Sequence, residues 1–163
     1  MTKNNIPPPN LRDNNLILKN VLLVVDIQKE FKDNNGYYEK ILDFIDNHYE
    51  KFDEVIAVYC DGKPTESTLG MRFRADENSL EFPYDRAISK STYAVPLGEL
   101  NKNDFYTIIG CESDACVLAT VFAMYDAGYQ FEILRDYIYS QNSKVHRKEI
   151  ESIYNRNFTG LLI

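Results

Sequence analysis

The sequence has few cysteines, no surplus of positive charge and no long apolar run, and each shortage excludes a class of protein. The three cysteines are too few, and odd in number, for a disulfide framework. The formal net charge of −7 would repel a nucleic-acid backbone and argues weakly against an anionic membrane surface. No apolar run approaches the ~20 residues that span a bilayer, and the first residues lack the apolar core of a secretory signal. We therefore expect a cytoplasmic protein with free thiols.

The length of 163 residues suits one domain with a sizeable core. Residues 1–16 are rich in Asn and Pro and have no periodicity, so we interpret them as a loose N-terminal arm. The remaining segment, 17–163, is expected to be a single domain. Its residues 61–85 are polar and irregular, and such long loops are often functional, but the sequence does not define their role.

Apolar runs alternate with helical patterns along this domain. Unbroken apolar runs at 21–25 and 55–59 are typical of parallel strands buried on both faces. Further strands are predicted at 87–88, 105–109, 131–134 and 161–163, and helices at 37–52, 117–128 and 144–157. Strands that alternate with helices predict a mainly parallel sheet covered on both faces.

Three chemically capable side chains fall at the carboxyl ends of predicted strands, where α/β sheets place their sites. Asp26 ends the first strand, Lys90 follows the short strand near residue 87, and Cys116 opens a helix after the strand that closes at Gly110. Each also has a structural interpretation: a carboxylate that caps a turn, a solvated surface lysine, and a small buried thiol. Sequence spacing does not show whether the three meet.

Cys116 is the candidate nucleophile. Ser113 and Asp114 are good N-cap residues, which places Cys116 in the first turn of the helix. Unpaired N–H groups and the helix dipole there are expected to lower the thiol pKa, and the same N–H groups can hold an oxyanion. Asp26 could accept the thiol proton, and Lys90 could stabilise the thiolate.

Three segments carry a resemblance to a known family. Val21–Phe31 (VLLVVDIQKEF) resembles the opening strand of the isochorismatase-like hydrolases, with its Asp-x-Gln-x-x-Phe element. Lys90–Val95 (KSTYAV) is similar to their lysine segment, and Ile109–Thr120 (IGCESDACVLAT) is similar to their nucleophile segment. The three matches occur in family order, and the resemblance covers the chain from about residue 20 to the end.

The resemblance implies a three-layer α/β/α, Rossmann-like fold with five to six strands and a catalytic triad of Asp26, Lys90 and Cys116. It also implies a non-proline cis peptide between Cys111 and Glu112, with the Glu112 and Cys116 N–H groups forming an oxyanion hole. The activity implied is cleavage of a C–N bond in a small amide, imide or carbamoyl compound through a thioester. We also expect a homo-oligomer, a dimer or tetramer.

The substrate pocket and the metal requirement are less closely defined. Pocket candidates lie near the triad in sequence or in the long loop: Gln28, Phe31, Tyr93, Arg72 and Arg74. Taken alone, the two arginines fit solvated side chains better than an anion clamp. Where nicotinamidase-like members carry an Asp-x-His metal motif, this chain reads Asp61-Gly62-Lys63. We therefore expect no catalytic metal and no cofactor.

Two other functions stay open. One is hydrolysis of an isochorismate-type vinyl ether, which needs the aspartate and the lysine but no nucleophile. The other is a catalytically idle relative that binds a small ligand.

Overall fold

The structure, a computed structural model, describes residues 18–62, 75–141 and 147–163. Within these ranges five strands and three α-helices follow one another along the chain. They are β1 (Asn20–Val25), α1 (Tyr37–His48), β2 (Glu54–Cys60), β3 (Arg86–Lys90), β4 (Phe105–Cys111), α2 (Cys116–Asp126), β5 (Gln130–Tyr139) and α3 (Arg147–Asn157). Short 3-10 turns occupy Lys29–Phe31, Tyr49–Lys51, Glu77–Ser79 and Leu97–Glu99.

The five strands form one sheet in the order β3-β2-β1-β4-β5, and every neighbouring pair is parallel. The central strand β1 is the apolar run, and its residues from Val21 to Val25 are fully buried because other elements cover both of its faces. The predicted mainly parallel sheet of five to six strands is confirmed, with five.

Alternating side chains of β1 divide the interior into two cores, as the two-residue period of a strand requires. Val21, Leu23 and Val25 pack with residues of α2 and α3 on one face. Leu22 and Val24 pack with residues of α1 on the other face. The sheet therefore lies between two helical layers, and the expected three-layer α/β/α fold is confirmed.

Several predicted boundaries move. The short strand expected at 87–88 is five residues long and ends on Lys90. The strand expected at 131–134 continues to Tyr139, because β5 pairs with β4 again after an irregularity, at Gly110↔Ile138. No sixth strand forms at 161–163 in the described chain, where the pairing is an isolated bridge between Ile133 and Leu162.

Some predictions fall outside the described residues. These are the N-terminal arm at 1–16, residues 63–74 of the long loop, and the first residues of the last helix, which is described from Arg147 onward. Of the helices that are described, none has the length and apolar character needed to cross a membrane.

Candidate active site

Asp26 is the first residue after β1, at the carboxyl end of the sheet. Its backbone has a φ of 53°, a left-handed conformation that only a few per cent of non-glycine residues adopt. A hydrogen bond of 2.9 Å from the Asp26 N–H to the Val58 carbonyl holds this conformation against β2. The side chain is completely buried, so the carboxylate is directed into the protein rather than toward solvent.

Lys90 reaches Asp26 across an intervening strand. It ends β3, which lies two strands away from β1, about 10 Å at the usual strand spacing. A lysine and an aspartate side chain together span that distance, and the Lys90 ammonium lies 2.7 Å from Oδ2 of Asp26. Neither side chain is exposed to solvent. The ammonium also donates a hydrogen bond of 3.0 Å to the Thr92 carbonyl.

Cys116 is the first residue of α2 and completes the cluster. Its thiol is buried and lies close enough to Asp26 and Lys90 for both charges to act on it. The structure therefore brings together the three side chains that the sequence selected from separate strand ends. The predicted capping by Ser113 or Asp114 is wrong, since Ala115 occupies the N-cap position and no side chain caps the helix.

The pKa of the Cys116 thiol is raised, and the expected lowering is not found. Burial is the largest cause, the Asp26 carboxylate adds to it, and Lys90 acts in the opposite direction. Burial also raises the pKa of Asp26, against the effect of the Lys90 ammonium. The pKa of Lys90 is raised as well, because the lowering by burial is outweighed by the charges of Asp26 and Cys116. The resting site therefore favours a neutral thiol beside the close, buried pair of Asp26 and Lys90.

The Asp26 carboxylate retains accepting capacity. Oδ2 is in contact with the Lys90 ammonium, whereas Oδ1 has no hydrogen-bond partner among the described residues. A buried carboxylate with a raised pKa and unused lone pairs is a suitable proton acceptor for the neighbouring thiol.

The loop before Cys116 contains the expected cis peptide, between Cys111 and Glu112. The Glu112 carbonyl accepts hydrogen bonds from the N–H groups of Ala115 and Val117, at 3.1 and 3.0 Å, but none from the N–H of Cys116. Within the described chain no hydrogen bond uses the N–H of Cys116 or of Glu112. These two N–H groups are therefore the candidate donors of the expected oxyanion hole.

Gly110 allows this loop to begin at a close contact with β1. A Cβ atom at this position would lie 2.1 Å from the Val25 carbonyl oxygen, and its φ of 145° suits glycine alone. The carboxyl ends of β4 and β1 can therefore approach closely, which brings the nucleophile loop beside Asp26.

Comparisons with known proteins agree with this architecture. No protein-family profile matches the chain, and no curated protein sequence matches it. Solved structures do match. The nicotinamidase/pyrazinamidase of Bacillus subtilis is 17% identical, with a TM-score of 0.65 over 86% of this chain and 96% of that one. An isochorismatase-like hydrolase from Alkaliphilus metalliredigens is 16% identical, with a TM-score of 0.62 over 85% and 91%. A protein described as the MAR1 ribonuclease of Caenorhabditis elegans is 18% identical, with a TM-score of 0.63 over 88% and 75%.

The fold is that of the isochorismatase-like hydrolases.

A metal of the kind implied by nicotinamidase-like members does not fit the described residues of this isochorismatase-like fold. No group of three His, Cys, Asp or Glu side chains in the described ranges is placed to hold an ion. Asp61 follows β2 and accepts a hydrogen bond from Ser89 at 3.2 Å. His48 lies at the end of α1 with its ring against the Phe44 carbonyl and ring, and His146 lies outside the described residues.

The pocket candidates are placed in different environments. Gln28 is fully buried, and its amide exchanges hydrogen bonds of 2.8 and 3.1 Å with the Cys60 backbone, so it ties the loop after β1 to the end of β2. Phe31 is buried, and its carbonyl accepts a hydrogen bond from Tyr139. Tyr93 is exposed near the end of β3. Arg72 and Arg74 lie outside the described residues.

Sequence reasoning missed a network at the end of β5. The Glu112 carboxylate accepts hydrogen bonds from the Ser140 hydroxyl at 2.7 Å and the Gln141 N–H at 3.0 Å. The Gln141 side chain in turn binds the Glu30 and Lys32 carbonyls. No motif marks these residues. A polar pair directly after a strand, on the edge that carries the site, is the available signal.

Proposed function

We propose that this protein is a cysteine hydrolase that cleaves a C–N bond in a small amide, imide or carbamoyl compound. The observation that supports the proposal is the convergence of Asp26, Lys90 and Cys116 in one buried cluster at the carboxyl end of the sheet. A nucleophile, a proton acceptor and a cation within mutual reach are the components of covalent acyl transfer. The likeness to amidases of the same fold supports the same chemistry.

In the first half-reaction Asp26 accepts the proton of the Cys116 thiol, and the sulfur attacks the substrate carbonyl carbon. The negative charge that develops on the carbonyl oxygen is directed toward the N–H groups of Glu112 and Cys116. Collapse of the tetrahedral intermediate breaks the C–N bond. Asp26 returns its proton to the leaving nitrogen, and ammonia or an amine departs from a thioester on Cys116.

In the second half-reaction Asp26 accepts a proton from a water molecule that attacks the thioester carbon. The C–S bond breaks, the thiol recovers the proton from Asp26, and a carboxylic acid is released. Lys90 keeps a positive charge beside Asp26 and Cys116 throughout, which stabilises the anionic form of whichever group has lost the proton. No metal is required by this sequence of steps.

The compartment and the partners follow from the same proposal. Three free cysteines, one of them the nucleophile, suit a reducing cytoplasm. The substrate is a small molecule. The net charge of −7 disfavours nucleic acid as a substrate, in contrast to the activity named for the ribonuclease of this fold. We also propose a homo-oligomer, which sedimentation of the purified protein would test.

The test is a screen of purified protein against small amides, with product analysis and rapid-quench mass spectrometry. We expect release of ammonia or an amine and an acyl adduct on Cys116. Cys116→Ala should abolish turnover while ligand binding persists, and Cys60→Ala is the matched control because it removes a different buried thiol. If Cys116→Ala stays active and Asp26→Asn is inactive, the reaction is the vinyl-ether type. If no compound is turned over, the protein is an idle binding relative.

A further inference from the structure

The Glu112 side chain is an acidic group in the loop before Cys116, directly after the cis peptide. Its carboxylate is held by three neutral donors: the Ser140 hydroxyl at 2.7 Å, the Gln141 N–H at 3.0 Å and the Cys111 thiol at 3.3 Å. No cation of the described chain forms an ion pair with it. Within the described residues its charge is therefore offset by hydrogen bonds alone.

Among the described residues, the one cation that contacts the triad is already paired. The Lys90 ammonium is fully buried, pairs with Asp26 at 2.7 Å and donates to the Thr92 carbonyl. One cation and one anion cancel, and the charge of Glu112 remains. Glu112 is close enough to the pair for its charge to contribute to the raised pKa of Asp26.

Charges act over longer distances in a buried site than in water, because the effective dielectric constant is lower. A substrate carboxylate near the reactive carbonyl would meet the uncompensated negative charge of Glu112. An uncharged group would not, and a cationic group would be attracted.

We propose that Glu112 is a specificity-determining residue that restricts the site to uncharged or cationic amides and rejects amides that carry a carboxylate. This inference rests on the proposed amide hydrolysis for the substrate class, but the charge selectivity has a test that does not need turnover. The competing expectation comes from the sequence, where Arg72 and Arg74 of the long loop could bind an anion.

The test compares alkylation of Cys116 by iodoacetamide and by iodoacetate, two reagents of nearly the same size that differ in charge. Rates are measured by mass spectrometry at one pH, with N-acetylcysteine amide as the reference thiol. We expect the iodoacetamide-to-iodoacetate rate ratio at Cys116 to exceed that of the reference thiol by about tenfold. High salt should reduce the excess.

Two variants assign the effect to Glu112. Glu112→Gln keeps an oxygen acceptor for Ser140 and should bring the ratio close to that of the reference thiol. Gln141→Lys keeps Glu112, adds a positive charge at the residue whose backbone N–H binds it, and should lower the ratio in the same direction. Glu132→Gln is the matched control. Glu132 also accepts a hydrogen bond from a hydroxyl, that of Thr107 at 2.9 Å, but it lies nearer the other end of β4. This variant should leave the ratio unchanged.

A wild-type ratio equal to or below that of the reference thiol would overturn the proposal and favour an anion-binding site. A ratio that stays high in both Glu112→Gln and Gln141→Lys would assign the selectivity to another group.

The same selectivity should appear in turnover. Succinamide should be cleaved at least tenfold faster than succinamate, which has a carboxylate in place of one carboxamide. Charge-selective alkylation without any amide turnover would refute the proposed function alone, whereas equal cleavage of the two compounds would refute the selectivity alone.

Discussion

Replacing Asp26 with asparagine should have opposite effects on thiol reactivity and on turnover. The pKa of the Cys116 thiol is raised by burial and by the Asp26 carboxylate, and Lys90 acts against both. Asp26→Asn removes the carboxylate charge that helps to raise the Cys116 pKa, and it leaves the buried Lys90 ammonium without its counter-ion. The thiolate of Cys116 then becomes the anion that compensates Lys90.

The expected magnitude follows from the strength of such a contact. Two unit charges about 4 Å apart interact by ~4 kcal/mol at an effective dielectric constant near 20, and each ~1.4 kcal/mol changes an equilibrium tenfold. Even a third of that interaction makes alkylation of Cys116 at neutral pH about tenfold faster in Asp26→Asn. Turnover should fall by ~10²–10⁴-fold, because the proton acceptor is gone.

The assay measures iodoacetamide labelling of each cysteine across a pH series, beside turnover of the best amide from the screen. In the wild-type protein, the labelling rate of Cys116 should rise only at a pH above that of an ordinary thiol, since its pKa is raised. Cys60 and Cys111 are internal references. Asp136→Asn, which removes a largely exposed carboxylate on β5, is the control variant. Slower or unchanged labelling of Cys116 in Asp26→Asn would refute the contribution of the Asp26 carboxylate to the raised thiol pKa.

Three further predictions concern stability and metal dependence. Lys90→Met leaves the Asp26 carboxylate buried without a partner and should cost ~3–5 kcal/mol of unfolding free energy at neutral pH. Burial already raises the pKa of Asp26 above its value in the unfolded chain, so the folded variant takes up a proton more readily than the unfolded chain as the pH falls. In thermal unfolding, the loss of stability should therefore be smaller at mildly acidic pH than at neutral pH. An equal loss of stability at both pH values would contradict this. Gly110→Ala should destabilise the protein by ~3 kcal/mol or more in urea unfolding, because its Cβ would meet the Val25 carbonyl oxygen, whereas Gly98→Ala, with nothing within 4 Å, should be nearly neutral. Dialysis against a chelator should leave amide turnover unchanged, and activity that returns only with added zinc or iron would show that the metal prediction is wrong.

Much of the fold was predictable because the local composition of a segment indicates whether a strand is buried. An unbroken apolar run such as Val21–Val25 is typical of a strand covered on both faces, and alternation with helices then favours a parallel sheet. The rule that such sheets carry their sites at the carboxyl ends selected Asp26, Lys90 and Cys116. The length of an edge strand depends on its pairing with the neighbouring strand, which local sequence does not indicate. The prediction therefore missed the extension of β5 to Tyr139.

The sequence by itself determined which side chains stand at the strand ends, because that depends on short-range pattern. Only the tertiary structure decided that Lys90 pairs with Asp26 across β2, since two strands from distant parts of the chain must align for their side chains to meet. It also decided the direction of the Cys116 pKa shift. A helix terminus and a lysine, both visible in the sequence, lower a thiol pKa, but burial and a neighbouring carboxylate outweigh them here, and burial is a property of the whole fold.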